Sequence, residues 1–224
     1  MKILRSLTLA LAVVPALAFA SRHAYTEPND TSTVDRSGWE SLSGPTRLTW
    51  ASKNDVYRQM ATPPTLSVTD TTVHAWRGER LGLEALLISP EGSGELKVSI
   101  SDLRRGKRSY KAPGSSAAFM RYVITTGWPG CGYPPDTLPT FTVPDMIDLP
   151  EATVSMAPRT VRPIWLTLEV PDVEPGVYDM TLTVSDVATG KRVGELHLAV
   201  DVDRRRLPAP HDQAFYLDLW QQPY

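Results

Sequence analysis

Residues 175–202 read PGVYDMTLTVSDVATGKRVGELHLAVDV, and this stretch decides the fold. Tyr178, Met180, Leu182 and Val184 alternate with mostly polar neighbours, and Leu196, Leu198, Val200 and Val202 repeat the pattern. A period of two with one wet face marks half-buried strands of an antiparallel sheet. Between the two runs, Asp186 to Lys191 with Thr189-Gly190 supplies a hairpin turn. Pro175-Gly176-Val177-Tyr178 reads as a corner that sets a tyrosine against the core at a strand start.

Outward from this hairpin the same alternation returns in Ile164, Leu166, Leu168 and Val170, and in Leu96, Val98 and Ile100. Further runs cover Leu66 to Val73, Leu81 to Ser89 and Phe119 to Thr126. The total is about seven strands separated by turn signals, the pattern of two packed sheets. The 20 prolines are scattered between the runs and argue against long helices. The expected fold is therefore all-β, an immunoglobulin-like antiparallel β-sandwich over residues 65–208.

Residues 21–64 are rich in Ser, Thr, Asp and Pro, and predict an irregular N-terminal extension. Trp39 and Trp50 suggest that its second half packs on the sandwich. Gly127 to Pro163 reads as a long Pro-rich loop of the kind that is functional or wraps a neighbour. Residues 1–20 carry Lys2 and Arg5, an apolar run from Leu7 to Phe19, and Ala18-Phe19-Ala20. That is the layout of a secretory signal peptide cut after Ala20. Pro15 breaks a run already shorter than the roughly 20 residues of a membrane span, so the expected destination is secreted, periplasmic or extracellular.

Cleavage would remove two of the 23 basic residues and none of the 25 acidic ones, leaving 21 against 25. Nucleic acid and anionic membrane surfaces, which require a basic face, are not expected partners. Cys131 is the sole cysteine and lies between Gly130 and Gly132, so no internal disulfide can staple the fold. About 200 residues suffice to bury a core without one.

The usual catalytic patterns are missing: no Gly-x-Ser-x-Gly elbow, no phosphate-cradling loop and no His-Glu-x-x-His occurs. His23, His74, His197 and His211 share no metal-ligand spacing and read as surface residues. Asp145, Asp148 and Glu151 form an acidic cluster that reads as a solvated loop ahead of a cation site. No metal or cofactor is expected. Trp76, Trp128, Trp165 and Trp220 offer flat rings on which a pyranose can stack. Alternation places Trp165 with Thr167 and Glu169, on the face opposite Ile164 and Leu166, where a domain interface is the first expectation and a sugar groove or solvent the others.

Several stretches in order resemble the family 123-like glycoside hydrolases. They are Ala75-Trp76-Arg77-Gly78-Glu79-Arg80, Cys131-Gly132-Tyr133, Val143-Pro144-Asp145-Met146-Ile147-Asp148, Pro163-Ile164-Trp165-Leu166 and Glu174-Pro175-Gly176-Val177-Tyr178. Leu207-Pro208 followed by Phe215 to Tyr224 resembles the family's passage from sandwich into the first strand of its catalytic barrel. The resemblance covers roughly residues 37–224. It implies relatives that are exo-acting β-N-acetylgalactosaminidases, in which the substrate's acetamido group attacks with help from adjacent Asp and Glu residues of the barrel. That pair finds no match here, and no catalytic residue is carried over.

A (β/α) barrel takes about 250 residues, whereas 16 residues follow Pro208. Residues 209–224 are therefore expected to open a barrel that lies outside this chain. The leading reading is the non-catalytic sandwich of a secreted glycosidase, with a separate catalytic barrel as partner and glycans as a second partner class. Trp128, Trp165, Asp218, Trp220 and Gln221 are the candidates to face sugar or barrel. A free-standing carbohydrate-binding module and an extracellular adhesion sandwich are the alternatives.

Overall fold

In the computed structural model, the structure describes residues 25–30, 36–61, 67–127 and 138–212. The expected signal peptide therefore lies outside the described residues, as do Cys131 and the segment 213–224. The strands are β1 (Arg47–Ala51), β2 (Asp70–Arg77), β3 (Arg80–Ser89), β4 (Ser93–Ile100), β5 (Leu103–Arg105) and β6 (Arg108–Tyr110). They continue with β7 (Ser116–Thr126), β8 (Thr140–Ile147), β9 (Val154–Met156), β10 (Thr160–Glu169), β11 (Gly176–Asp186) and β12 (Arg192–Arg206).

The strands form two sheets. One has five strands in the order β1-β3-β10-β7-β8, and the other has seven, with β2-β12-β11-β4-β9 along its path and β5 and β6 beside β11. The quoted hairpin is β11 and β12, paired antiparallel with Leu182 opposite Leu196 and Tyr178 opposite Val200. All eight of its apolar alternating residues are buried, and with Leu96, Ile164, Leu166 and Leu168 they fill the space between the sheets. The all-β sandwich read from alternation is the observed architecture.

Tyr178 closes the expected corner: its hydroxyl donates to the Glu174 carbonyl at 2.6 Å. Tyr110 meets the same ring edge to face, centroids 5.2 Å apart.

Three details differ from the expectations. The ladder between β2 and β12 is parallel, because the chain between them crosses both sheets. The strand expected from Leu66 to Val73 runs instead from Asp70 to Arg77. Ahead of it, the carbonyls of Val68 and Thr69 accept from Trp50 N and His197 N, each at 2.8 Å, and join the edges of the two sheets. The expected loop 127–163 contains β8 and β9. β8 hides from a periodicity reading because Pro144 sits at a bulge, where the register against β7 shifts between Arg121 and Tyr122; a proline that cannot donate is tolerated there.

The N-terminal extension is irregular over residues 25–30 and 52–61, yet α1 (Arg36–Glu40) and β1 lie within it. Both tryptophans pack as expected. Trp50 enters the main core and its indole N–H donates to the His197 carbonyl at 3.0 Å. Trp39 joins Tyr57, Leu86, Ile88 and Val161 in a second cluster on the outer face of the five-stranded sheet. The N-terminal segment thus roofs one half of that face.

Candidate functional site

The other half of that outer face holds Trp165. In β10 the residues Ile164, Leu166 and Leu168 are buried while Trp165, Thr167 and Glu169 are half-buried. Pairing puts Trp165 directly opposite Glu84 on β3 and Ala118 on β7. Its indole reaches diagonally over Gly82, where an added Cβ would overlap the ring. Glycine at 82 thus leaves the room that the indole occupies.

Glu84 is the residue that alternation overlooked. It occupies the outward position of the run Leu81 to Ser89, yet it is only 5% exposed. The last pair of β1 with β3 is Ala51 with Glu84, so the β3 edge beyond Glu84 is no longer covered by β1. There a cavity of about 280 Å³ opens, lined by Ser52, Lys53, Asn54, Thr71 and Gly82 among others, with Glu84 on its wall. Burial pushes the Glu84 carboxyl up to about 7, and the charge of Asp55 adds to the shift. The signal that could have found it is an acid interrupting an otherwise apolar run, Leu83-Glu84-Ala85-Leu86-Leu87.

A second depression, of about 600 Å³, lies on the outer face of the seven-stranded sheet above Ala199, among Asp70, Thr72, Asp179 and His197. It has no aromatic ring in its lining, so it lacks a stacking platform.

The remaining candidates are dispersed. Trp76 is 39% exposed at the far end of β2, with the Arg205 guanidinium 5.0 Å above its ring. Trp128, Asp218, Trp220 and Gln221 lie outside the described residues. Asp148 of the acidic cluster is engaged by Arg121, Nε to Oδ2 at 2.5 Å, and accepts from the Leu149 amide. Among the described residues, no three of His, Cys, Asp and Glu gather closely enough to hold a metal ion. His74 pairs with Asp201 at 3.0 Å, and His197 is exposed on its strand. No helix of the described residues is long and apolar enough to cross a membrane.

The chain leaves the sandwich at a defined place. Leu207 N donates to the Arg77 carbonyl at 2.9 Å, beside Gly78, whose φ of 76° makes the turn from β2 into β3. Arg77 and Arg206 both pair with Asp172 there, at 2.5 and 3.4 Å.

These features define a two-sheet β-sandwich domain in which Leu207, at the end of the last strand, is tied to Arg77. The chain belongs to the glycoside hydrolase 123 N-terminal domain family, whose model matches residues 50–186, more than half of the sequence. Among solved structures it is similar to a family 123 glycoside hydrolase from Clostridium perfringens, with a TM-score of 0.61 and 14% identity. That match covers 75% of this chain and 29% of the enzyme. The N-terminal domain of PorA (TM-score 0.31, 9% identity, 70% of this chain and 98% of that one) also matches. So does a PapD-like domain of human CEP192 (TM-score 0.28, 10% identity, 92% and 99%). No curated protein matches the chain.

Proposed function

We propose that this chain is the non-catalytic N-terminal sandwich of a secreted glycoside hydrolase and that it supports a catalytic barrel. The observation that carries the reading is the family match to an N-terminal domain, together with correspondence to only 29% of the solved enzyme. The exit at Leu207, tied to Arg77 and flanked by the Asp172 ion pairs, is a rigid point from which a following domain can be held. Catalytic groups must be fixed within a fraction of an ångström of their productive places, and in this reading the barrel supplies them. Residues 1–20 direct export and are removed after Ala20. Trp128, Trp165, Asp218, Trp220 and Gln221 face the barrel or its sugar.

The test is enzymatic. Purified residues 21–224 are expected to show no turnover of aryl β-N-acetylgalactosaminides, and mass spectrometry of the exported protein to find Ser21 first. Robust turnover that is abolished by a single Asp or Glu substitution within 65–208 would place an active site on the sandwich and overturn the reading.

A further inference from the structure

We infer that the β5–β6 hairpin, through Arg105, Lys107 and Arg108 at its tip, is a docking site for an anionic lipid surface. The inference goes beyond the supporting role and does not rest on it.

Residues 103–111, Leu103-Arg104-Arg105-Gly106-Lys107-Arg108-Ser109-Tyr110-Lys111, hold five basic residues and no acid. The slight acidic excess of the whole chain, which speaks against anionic partners, averages this segment away. Leu103 pairs with Tyr110, Arg104 with Ser109 and Arg105 with Arg108. Gly106, with a φ of 60°, starts the two-residue turn, a conformation that favours glycine. Leu103 is buried in the main core and Tyr110 packs against it, which anchors the foot of the hairpin. One pairing, Asp179 with Arg104, joins it to β11, and every residue from Arg104 to Ser109 is exposed. The tip therefore projects from the sandwich.

The first observation is a charge arrangement that stability alone disfavours. Arg105 and Arg108 stand directly opposite across the ladder, with Lys107 in the turn between them, and like charges in that relation are destabilising. Nearby acids do not neutralise the tip. Asp102 is taken at the foot by Lys111 at 2.8 Å and by Ser109 at 3.1 Å. Among the described residues, Asp179 and Glu174 form no ion pair with the hairpin, and Arg104, Lys107 and Arg108 form none with any acid. Arg105 is held by neutral groups: its Nη1 donates to the Pro175 carbonyl at 3.0 Å, and its guanidinium lies 5.6 Å from the Tyr178 ring centroid. The tyrosine corner thus fixes a cation at the tip without cancelling its charge.

The second observation is shape. A depression of about 190 Å³ lies at the foot, beside Arg104 and Asp179, and none of Arg105, Lys107 and Arg108 lines it. A chain-like polyanion is bound along a charged groove with aromatic platforms, which a convex tip does not offer. The potential of a flat anionic bilayer instead acts on every charge within about one screening length of its surface.

The experiment is cosedimentation of the full chain with vesicles of phosphatidylcholine alone and of phosphatidylcholine mixed equally with phosphatidylglycerol. It is run at about 0.01 M and about 1 M salt, where the screening length falls from about 30 Å to about 3 Å. Uptake by the neutral vesicles measures the apolar run Leu7 to Phe19 and is subtracted. The expected result is an excess on the mixed vesicles that disappears at high salt. Lys107→Gln with Arg108→Gln should weaken this excess about 30-fold, or about 2 kcal/mol. Lys97→Gln with Lys191→Gln removes the same charge from exposed positions at the far end of β4 and β11, and should leave binding unchanged. A missing salt-sensitive excess, an excess that the hairpin variant leaves intact, or equal losses in both variants would overturn the proposal. So would binding of heparin or duplex DNA by the tip without binding to the mixed vesicles, which assigns it to a chain-like polyanion.

Discussion

The Arg162 guanidinium holds the Glu27 carboxylate with both ends, Nη1 to Oε1 at 2.5 Å and Nη2 to Oε2 at 2.8 Å, across 135 residues of chain. Arg162 also donates to the Met120 carbonyl at 2.9 Å and lies 4.7 Å over the Tyr122 ring. The Tyr122 amide donates to the same Glu27 at 3.1 Å. Tyr25 adds a bond from its hydroxyl to the Tyr122 carbonyl at 3.0 Å. Residues 25–30 are thereby strapped to the end of the five-stranded sheet.

Removing one partner of such a pair leaves a buried charge unpaired, which costs about 3–5 kcal/mol. Glu27→Ala is expected to lower unfolding free energy by about 3 kcal/mol in urea titrations. The double variant Glu27→Ala with Arg162→Met should recover at least part of that loss, because no lone guanidinium remains buried. Equal stabilities of the Glu27→Ala variant and the parent would refute the account.

The tyrosine corner makes a second prediction. Tyr178 is fully buried and its hydroxyl bonds to Glu174, so Tyr178→Phe removes one hydrogen bond and little volume. The expected loss is about 1 kcal/mol, against about 3–5 kcal/mol for Tyr178→Ala, which also empties the site beside Tyr110. Similar losses for both would mean that the ring contributes nothing beyond its hydroxyl.

Strand register is tested by adjacent residues of β11. Leu182 is 1% exposed in the core, whereas Thr183 faces outward and reaches Glu195 at 3.4 Å. Leu182→Ala should cost about 2–5 kcal/mol and Thr183→Ala less than about 1 kcal/mol. Thermal melts giving equal shifts would contradict the observed faces.

Glu84 confers a pH dependence whose sign follows from its direction of shift. Its carboxyl is raised from an ordinary value of 4.5 to about 7 in the fold, so between those values the folded chain binds more protons than the unfolded one. Stability from this group is intact below about 4.5, falls as pH rises toward about 7 and is level above it. The full difference is at most about 3 kcal/mol. The Asp55 charge faces the same group and adds to its upward shift. Denaturation at pH 5 and pH 8 should show the decline in the parent and a smaller one in Glu84→Gln. An identical decline in both would assign it to other groups.

Part of this was legible in residue order. Each of the strands around Leu96, Leu166, Leu182 and Leu198 announces its buried face by alternation alone, since a strand's side chains point to opposite sides in turn. The tyrosine corner at Tyr178 was legible too, because Pro175-Gly176 fixes the approach to the strand within a few residues. β8 was not, because its Pro144 is acceptable only at a bulge that depends on a partner strand. Nor was β1, whose inward side chains Leu48 and Trp50 are too few for a periodic signal.

The sequence by itself determined the class of fold and which faces of the long strands turn inward, because those properties follow from local geometry and solvation. It also placed Trp165 on the outer face. Only the tertiary structure decided what stands beside Trp165 and what ties the N-terminal segment down. Glu84 stands opposite Trp165 through the pairing of β3 with β10, and Gly82 leaves room for the ring. Glu27 finds Arg162 across most of the chain. Such partners are chosen by strand order and register, and these are set by packing two sheets together, a constraint that no local window of residues contains.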